Sequence, residues 1–220
     1  MKKKGLIALT LCLALACPAA LAETVDMIDV LLNSKTTQAF TQEDLAEEDL
    51  NTILLCGINA QSAMNSQPWH FSVLTDDETL AALDSGSSAP TGAEDESAED
   101  AGEDAAPAAS DTAKASVADA AAAIVISTGD ALKWNSFDAG GACDRMSIAA
   151  RALGYGSKIV AAPCDTINAN QAWKDYLGIP EDMEAIAILL LGVEDTAVDG
   201  SSGASVRNDI SDVVTLESAQ

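Results

Sequence analysis

The sequence predicts an α+β domain, and three observations carry that prediction. Apolar residues recur at helical spacing in two early segments, while later apolar runs have the length and flanking turn residues of strands. Helix-like and strand-like segments then alternate without a strict βαβ rhythm. The chain of 220 residues, 48% of them apolar, is long enough for one domain with a sizeable core.

The elements follow in order. Residues 25–32 carry Val25, Ile28, Leu31 and Leu32 at helical spacing. A second helix is expected from about Ala46 to Ile58, where Leu50, Ile53, Leu54, Gly57 and Ile58 form one apolar stripe. Acidic residues crowd its start, where the helix dipole favours them. His70–Thr75 (HFSVLT) reads as a strand, and Ala121–Thr128 (AAAIVIST) as a buried one. Asp138–Leu153 predicts a long helix rich in small residues, followed by a strand in SKIVAA after Gly156. Asn170–Leu177 predicts a short helix stopped by Gly178 and Pro180. The run Ala185–Val193 (AIAILLLGV) suits a central strand.

Between these elements, residues 84–116 break the pattern. They hold nine acidic residues, one lysine and no aromatic or large aliphatic side chain. Such a segment buries too little to offset its conformational entropy, so a disordered acidic insert is expected. A calcium-binding loop is the alternative, but the spaced ligands and turn glycine are missing.

The first residues read as a signal peptide over 1–22. Lys2, Lys3 and Lys4 precede a 12-residue apolar run, too short to span a bilayer. Ala20-Leu21-Ala22 then offers a small-x-small cleavage site before Glu23. Lipid attachment at Cys17 is the alternative, disfavoured by Pro18. The mature chain, residues 23–220, is therefore expected outside the cytoplasmic membrane. Its cysteines, Cys56, Cys143 and Cys164, are odd in number and widely spaced, with neither a CxxC pair nor metal-ligand spacing to the single His70. They read as small core residues, with one bridge left open, and no metal site is expected. The net charge of −24 argues against nucleic acid as a partner. His70 reads as an ordinary surface or core histidine, and Arg145 and Arg151 as ion-pairing residues on a helix.

The segment Asn59–Phe71 (NAQSAMNSQPWHF) packs Ser62, Asn65, Gln67 and Trp69 between a helix and a strand. Amides supply donors and acceptors together, which suits the edge of a heterocycle. By composition alone it is an ordinary turn with a core tryptophan. It resembles, however, the A-P-S-x-x-N-x-Q-P-W signature of the nitroreductase family of FMN-dependent oxidoreductases, with Gln61 in place of the first proline. Four further stretches agree in order. NSKTTQAF resembles the early R-x-S-x-R-x-F segment. DAGGACDRMSIAARALGYGS resembles the D-x-G helix and its A-x-x-L-G ending. YLGIPEDMEAIAILLLGVED resembles the L-G-I-P turn and strand, and VRNDISDVV the closing segment.

That resemblance implies a central, mostly antiparallel sheet flanked by helices, and a homodimer with FMN at the interface. It implies that Lys35 and Thr36 reach the flavin's phosphate side, with Arg207 completing the site. Ser62, Asn65 and Gln67 would contact the ring or ribityl chain, and the backbone at Ala161 and Ala162 the reactive nitrogen. The family's two early arginines are Lys35 and Gln38 here. Lys35 loses the planar fork and Gln38 the charge, so noncovalent phosphate binding should be weaker by ~1–3 kcal/mol. DGSSGAS, Asp199–Ser205, also resembles the flavinylation motif D-x-x-[ST]-G-A-[ST], in which a flavin transferase esterifies FMN onto the last residue. Ser205 would be that residue, two positions before Arg207. Two readings follow from the resemblance. One is an exported oxidoreductase passing electrons through FMN to a small organic acceptor, nitroaromatic or quinone-like, from NAD(P)H or a membrane redox partner. The other is a flavin-carrying electron-transfer module without a substrate of its own. No side chain is assigned an acid–base role, because the chemistry would be borne by the flavin.

Overall fold

One antiparallel sheet organises the described residues of this computed structural model, which are 26–90, 115–199 and 207–215. Its strands are β1 (Trp69–Leu74), β2 (Ala122–Thr128), β3 (Gly156–Val160) and β4 (Glu184–Gly192), in the order β1-β2-β4-β3. The register pairs Val73 with Ile124, Val125 with Ile188 and Ile159 with Leu189. All seven residues of β2 are buried, so this strand is covered on both faces.

Alternation along the central strands divides the core in two. Ala123, Val125, Ile188 and Leu190 face one side, packing with Leu80, Leu83, Ile167 and Trp173. These come from α3 (Asp77–Ser85), α5 (Ala162–Ala169) and α6 (Gln171–Tyr176). Ile124, Ile126, Leu189 and Leu191 face the other side, against Ile53 and Met146. Those two belong to α2 (Glu47–Ile58) and α4 (Asn135–Ala152). The helices α2 and α4 pack closely. A Cβ on Gly57 would stand 2.7 Å from Met146 Cγ, so glycine is what lets the axes approach. The short helices α1 (Met27–Asn33), α7 (Thr196–Asp199) and α8 (Ile210–Val213) complete the described α-helices.

Several boundaries differ from the sequence expectation. The insert expected at 84–116 is ordered at both edges. Helix α3, which the sequence reading does not contain, runs to Ser85 and stops at Gly86 in the left-handed conformation (φ 73°). Its N-cap is Asp76, whose carboxylate accepts from Thr79 N at 2.9 Å; that backbone bond holds the Asp76 carboxyl below its usual range. Beyond it, Trp173 Nε1 donates to Ser87 O at 2.9 Å, and Ala89 and Ala115 are buried. Asp84 accepts from Val117 N at 2.9 Å, tying the two edges together. Residues 91–114, the rest of the expected insert, lie outside the described residues, as does the expected signal peptide.

The strand expected to continue through Ala162 ends at Val160. Ala161 (φ −127°, ψ −26°) turns the chain into α5, whose first turn contains Pro163. Helix α1 forms as expected, yet Met27, Ile28, Leu31 and Leu32 are exposed, Leu32 at 78%, and Val30 is half-buried. In α2, Ile53 and Gly57 are buried while Leu55 and Ile58 remain open. Among the described residues Cys56, Cys143 and Cys164 are all free thiols, with Cys143 and Cys164 in the two halves of the core.

Candidate functional site

Two strips of backbone hold most of the sequence-predicted site residues, and each is anchored at one end of α4. The first runs from Ser34 to Phe40. Thr37 N donates to Ser157 O at 3.1 Å, and Ser157 N donates back to Thr37 Oγ1 at 2.9 Å. A Cβ on Gly156 would come within 2.7 Å of Thr37 Oγ1, so β3 must begin with glycine for this strip to dock. Phe40 bridges Glu194, and Thr37 Oγ1 lies 3.3 Å from Glu194 Oε1. Thr37 is thereby fully buried, whereas Lys35 and Gln38 are half-buried and Thr36 is exposed. The Gln38 amide folds back onto Thr36 O at 3.1 Å.

Arg151, in the last turn of α4, secures this strip. Its Nη2 donates to Lys35 O, to Ser157 O at 3.1 Å and to Thr37 Oγ1 at 3.2 Å. Beyond the ion pairing expected of it, the guanidinium serves two backbone carbonyls and the Thr37 hydroxyl, acceptors that no local pattern reveals. Arg145 differs, donating from Nη1 to Asn59 O at 2.7 Å at the end of α2, where a cation complements the helix dipole.

The second strip is Ser62–Gln67, between α2 and β1. Met64, Asn65 and Gln67 have φ of 56°, 55° and 47°, left-handed values that non-glycine residues rarely adopt. Three in four positions is a concentration of strain of the kind found at ligand-binding turns. The surroundings impose it. Ser62 Oγ accepts from Gln67 N at 3.0 Å, and Asn65 N donates to Ser62 O at 3.0 Å. Buried Asp138, at the start of α4, accepts from Ala63 N at 2.8 Å. Thr128 Oγ1 donates to Pro68 O, fixing the exit into β1. The outcome is that Asn65 and Gln67 are exposed, Ser62 is half-buried, and Met64 is 80% exposed.

A family model described as the nitroreductase family matches residues 32–193, a span that includes both strips, α4 and the whole sheet. The chain belongs to the nitroreductase family. An Archaeoglobus fulgidus protein named as an NADH dehydrogenase/NAD(P)H nitroreductase is 25% identical over 172 residues, covering 76% of this chain and 84% of that one. Among solved structures, a Bacteroides fragilis nitroreductase with bound FMN superposes with a TM-score of 0.65 at 18% identity, covering 89% of this chain and 100% of the other. Nitroreductase A of Vibrio parahaemolyticus gives 0.64 at 20% identity, covering 88% and 76%. An FMN complex of a Desulfovibrio desulfuricans family protein gives 0.63 at 18%, covering 89% and 99%. At these identities the structures establish the nitroreductase fold.

Within that fold the predicted residues do not gather in one place on one chain. Asp138 and Arg151 are thirteen residues apart on α4, about 20 Å along its axis, and each holds a different strip. Ala161 and Ala162 are exposed at the start of α5, at the far end of β3 from Ser157. Arg207 is exposed, and Ser205 lies outside the described residues. Beside α4, an apolar hollow of about 610 Å³ opens between α1 and α2, lined by Met27, Leu31, Leu55, Ile148 and Leu153 with Arg145 at its wall. Arg151 and Asp138 are the site-forming residues that sequence reasoning missed as such. No local pattern separates Asp138 from Asp144 on the same helix; only its burial does.

Proposed function

We propose that this nitroreductase-family protein is an exported, homodimeric FMN-dependent oxidoreductase whose physiological acceptor is a small nitroaromatic or quinone-like compound. One observation carries the reading: the Ser62–Gln67 strip is held under backbone strain with its amides turned outward. Strain of that kind persists where a ligand uses the geometry.

The donor set fits FMN. The flavin ring edge presents acceptors beside a donor, which the exposed Asn65 and Gln67 amides can match. The phosphate calls for cations, and Lys35 and Arg207 are the candidates. Ala161 and Ala162 begin α5 with exposed backbone, where unsatisfied N–H groups can face the ring. Bound FMN supplies two-electron chemistry between a donor and an organic acceptor. The chain's own residues bind and orient it: Lys35 and Thr36 at the phosphate end, Ser62, Asn65 and Gln67 at the ring and ribityl chain.

The separation of the strips supports a homodimer in this reading. Two copies packed antiparallel along α4 bring the Lys35 strip of one protomer to the Asn65 strip of its partner. The apolar hollow and the exposed side chains of Leu31, Leu32 and Leu55 supply the face to be covered. Export rests on the N-terminal signal. A cofactor held outside the cell by Lys35 and Arg207 beside a neutral Gln38 gains from a covalent tether, here a phosphoester formed when the Ser205 hydroxyl attacks the FMN-side phosphorus of a flavin adenine dinucleotide on a flavin transferase, with AMP leaving and the hydroxyl proton passing to a base on the transferase. NAD(P)H or a membrane redox partner would then reduce the protein.

The test is intact mass of the protein exported from a host that has the transferase. An added FMN that disappears in Ser205→Ala supports the tether. Steady-state turnover with nitroaromatic and quinone panels follows. A colourless wild-type protein that takes up no FMN on titration overturns the reading.

A further inference from the structure

We propose that Asp138 is a positioning residue for the ring end of the flavin site: it holds the Ser62–Gln67 strip in its left-handed shape before any flavin binds. The inference rests on the flavin reading above and adds to it a residue and a preorganisation mechanism. Met64, Asn65 and Gln67 all have positive φ. Each costs free energy, least for Asn65, because asparagine visits this region more readily than methionine or glutamine. Three together cost more than one hydrogen bond returns, so the shape persists only while several contacts hold it.

Those contacts are of two kinds. Asn65 N donates to Ser62 O, Ser66 N to Ala63 O and Gln67 N to Ser62 Oγ, each at 3.0 Å and each within the strip. They shape the turn without attaching it to the body of the fold. Among the described residues, two side chains from elsewhere make that attachment by hydrogen bonds. Thr128 Oγ1 donates to Pro68 O at the exit. Asp138 Oδ2 accepts from Ala63 N at 2.8 Å, directly before Met64. Of the two only Asp138 brings a carboxylate, and at 6% exposure its bond is shielded from water, which strengthens it.

Without that carboxylate the strip relaxes toward negative φ, and the Asn65 and Gln67 amides are no longer preset. A flavin must then restore the strain as it binds, so apparent affinity falls with the fraction of molecules still in the competent shape. Two consequences separate this role from a general loss of stability. Ring and ribityl chain are common to FMN and riboflavin, so both ligands weaken alike. The loss is also reversible by removing strain instead of restoring the carboxylate. Glycine adopts a φ near the 56° of Met64 at no steric cost, so Met64→Gly lets the strip keep its shape without Asp138.

The experiment measures FMN and riboflavin affinity by flavin fluorescence quenching, using flavin-free protein made without a flavin transferase and shown to be folded by circular dichroism. Asp138→Ala, Asp138→Asn and Met64→Gly are compared with wild type, and each Asp138 variant is combined with Met64→Gly and with Met64→Ala. Loss of the charge-assisted bond predicts a 10- to 100-fold drop for Asp138→Ala with either flavin, roughly one to two powers of ten. The ratio of the two affinities should stay within about threefold of wild type. Asp138→Asn keeps an acceptor oxygen without the charge and should lose about three- to tenfold; it carries the test if Asp138→Ala fails to fold. Met64→Gly alone should change affinity by less than about threefold, yet in either Asp138 background it should recover most of the loss, while Met64→Ala recovers none. Unchanged affinity in the variant that carries the test, a loss confined to FMN, or no recovery with Met64→Gly would overturn the proposal. A wild-type protein that binds neither flavin removes the flavin reading itself, a distinct result.

Discussion

Met64→Gly should make the flavin-free protein more stable. Met64 sits at φ 56°, ψ 21°, with 80% of its surface exposed, so the side chain contributes little packing to lose. A left-handed conformation costs a non-glycine residue about 1–2 kcal/mol. Glycine removes that cost but adds about 0.4–1 kcal/mol of unfolded-state entropy. The net gain is about 0.5–1 kcal/mol, or a rise in Tm of roughly 1–4 °C for a chain of this size. Met64→Ala is the control, because it removes the same exposed side chain and keeps Cβ; it should leave stability within about 0.5 kcal/mol of wild type. Equilibrium urea unfolding and thermal melts, all at one protomer concentration so that assembly does not enter the comparison, provide the measurement. If Met64→Gly is neutral or destabilising while Met64→Ala is neutral, the backbone at this turn is not under the constraint described, and the case for a strained ligand-binding strip fails with it.

Other expectations are as direct. Asp138→Ala removes the acceptor for Ala63 N, so urea unfolding should show a loss of about 1.5–3 kcal/mol, with Asp138→Asn losing less because it keeps an acceptor oxygen. Leu55→Glu, on the open face of α2, should shift the protein toward monomer in analytical ultracentrifugation and lower FMN uptake in parallel; a flavin-bound monomer would refute the two-protomer site. Burial pushes the Cys143 thiol up to about 12 and the Cys164 thiol up to about 11, with Asp144 and Asp165 adding smaller effects. Because the folded values lie above the unfolded one, their stabilising contribution is complete below the ordinary thiol range and declines as pH rises from there toward 11–12. Urea midpoints taken from pH 8 to 11 should fall, less so in Cys143→Ala, and a thiol reagent should label half-buried Cys56 well before the other two.

The sequence revealed the sheet more readily than the helices around it. The run at β2 is legible because both its faces are covered, leaving no polar alternation to confuse with a helix. Helix α3 was hidden because its large buried residues are few, chiefly Leu80 and Leu83, and its acidic and alanine content merges into the segment that follows. The turn into helix α5 is hidden because Ala161 and Ala162 continue the apolar run of β3, and the rest of the helix carries no apolar stripe long enough to announce it; Pro163, in the first turn, is the local signal. At the site, the chemistry of Asn65 and Gln67 was visible, but their left-handed backbone was not. That conformation is imposed by Asp138, 75 positions from the Ala63 N–H it accepts, and such partners leave no local trace. The same holds for Arg151, whose acceptor at Lys35 is 116 positions away.

The order of the strands bears on how the molecule reaches its native state. Every registered pair joins distant stretches, and the nearest partners, Val160 and Ile188, are still 28 residues apart. No tight turn can therefore seed the sheet. Loop-closure entropy must be overcome before cross-strand contacts accumulate, which places the refolding rate toward the slow end of the range for single domains. By the same measure β3 and β4, which close the shortest loop with α5 and α6 between them, offer the earliest platform on which β2 could condense.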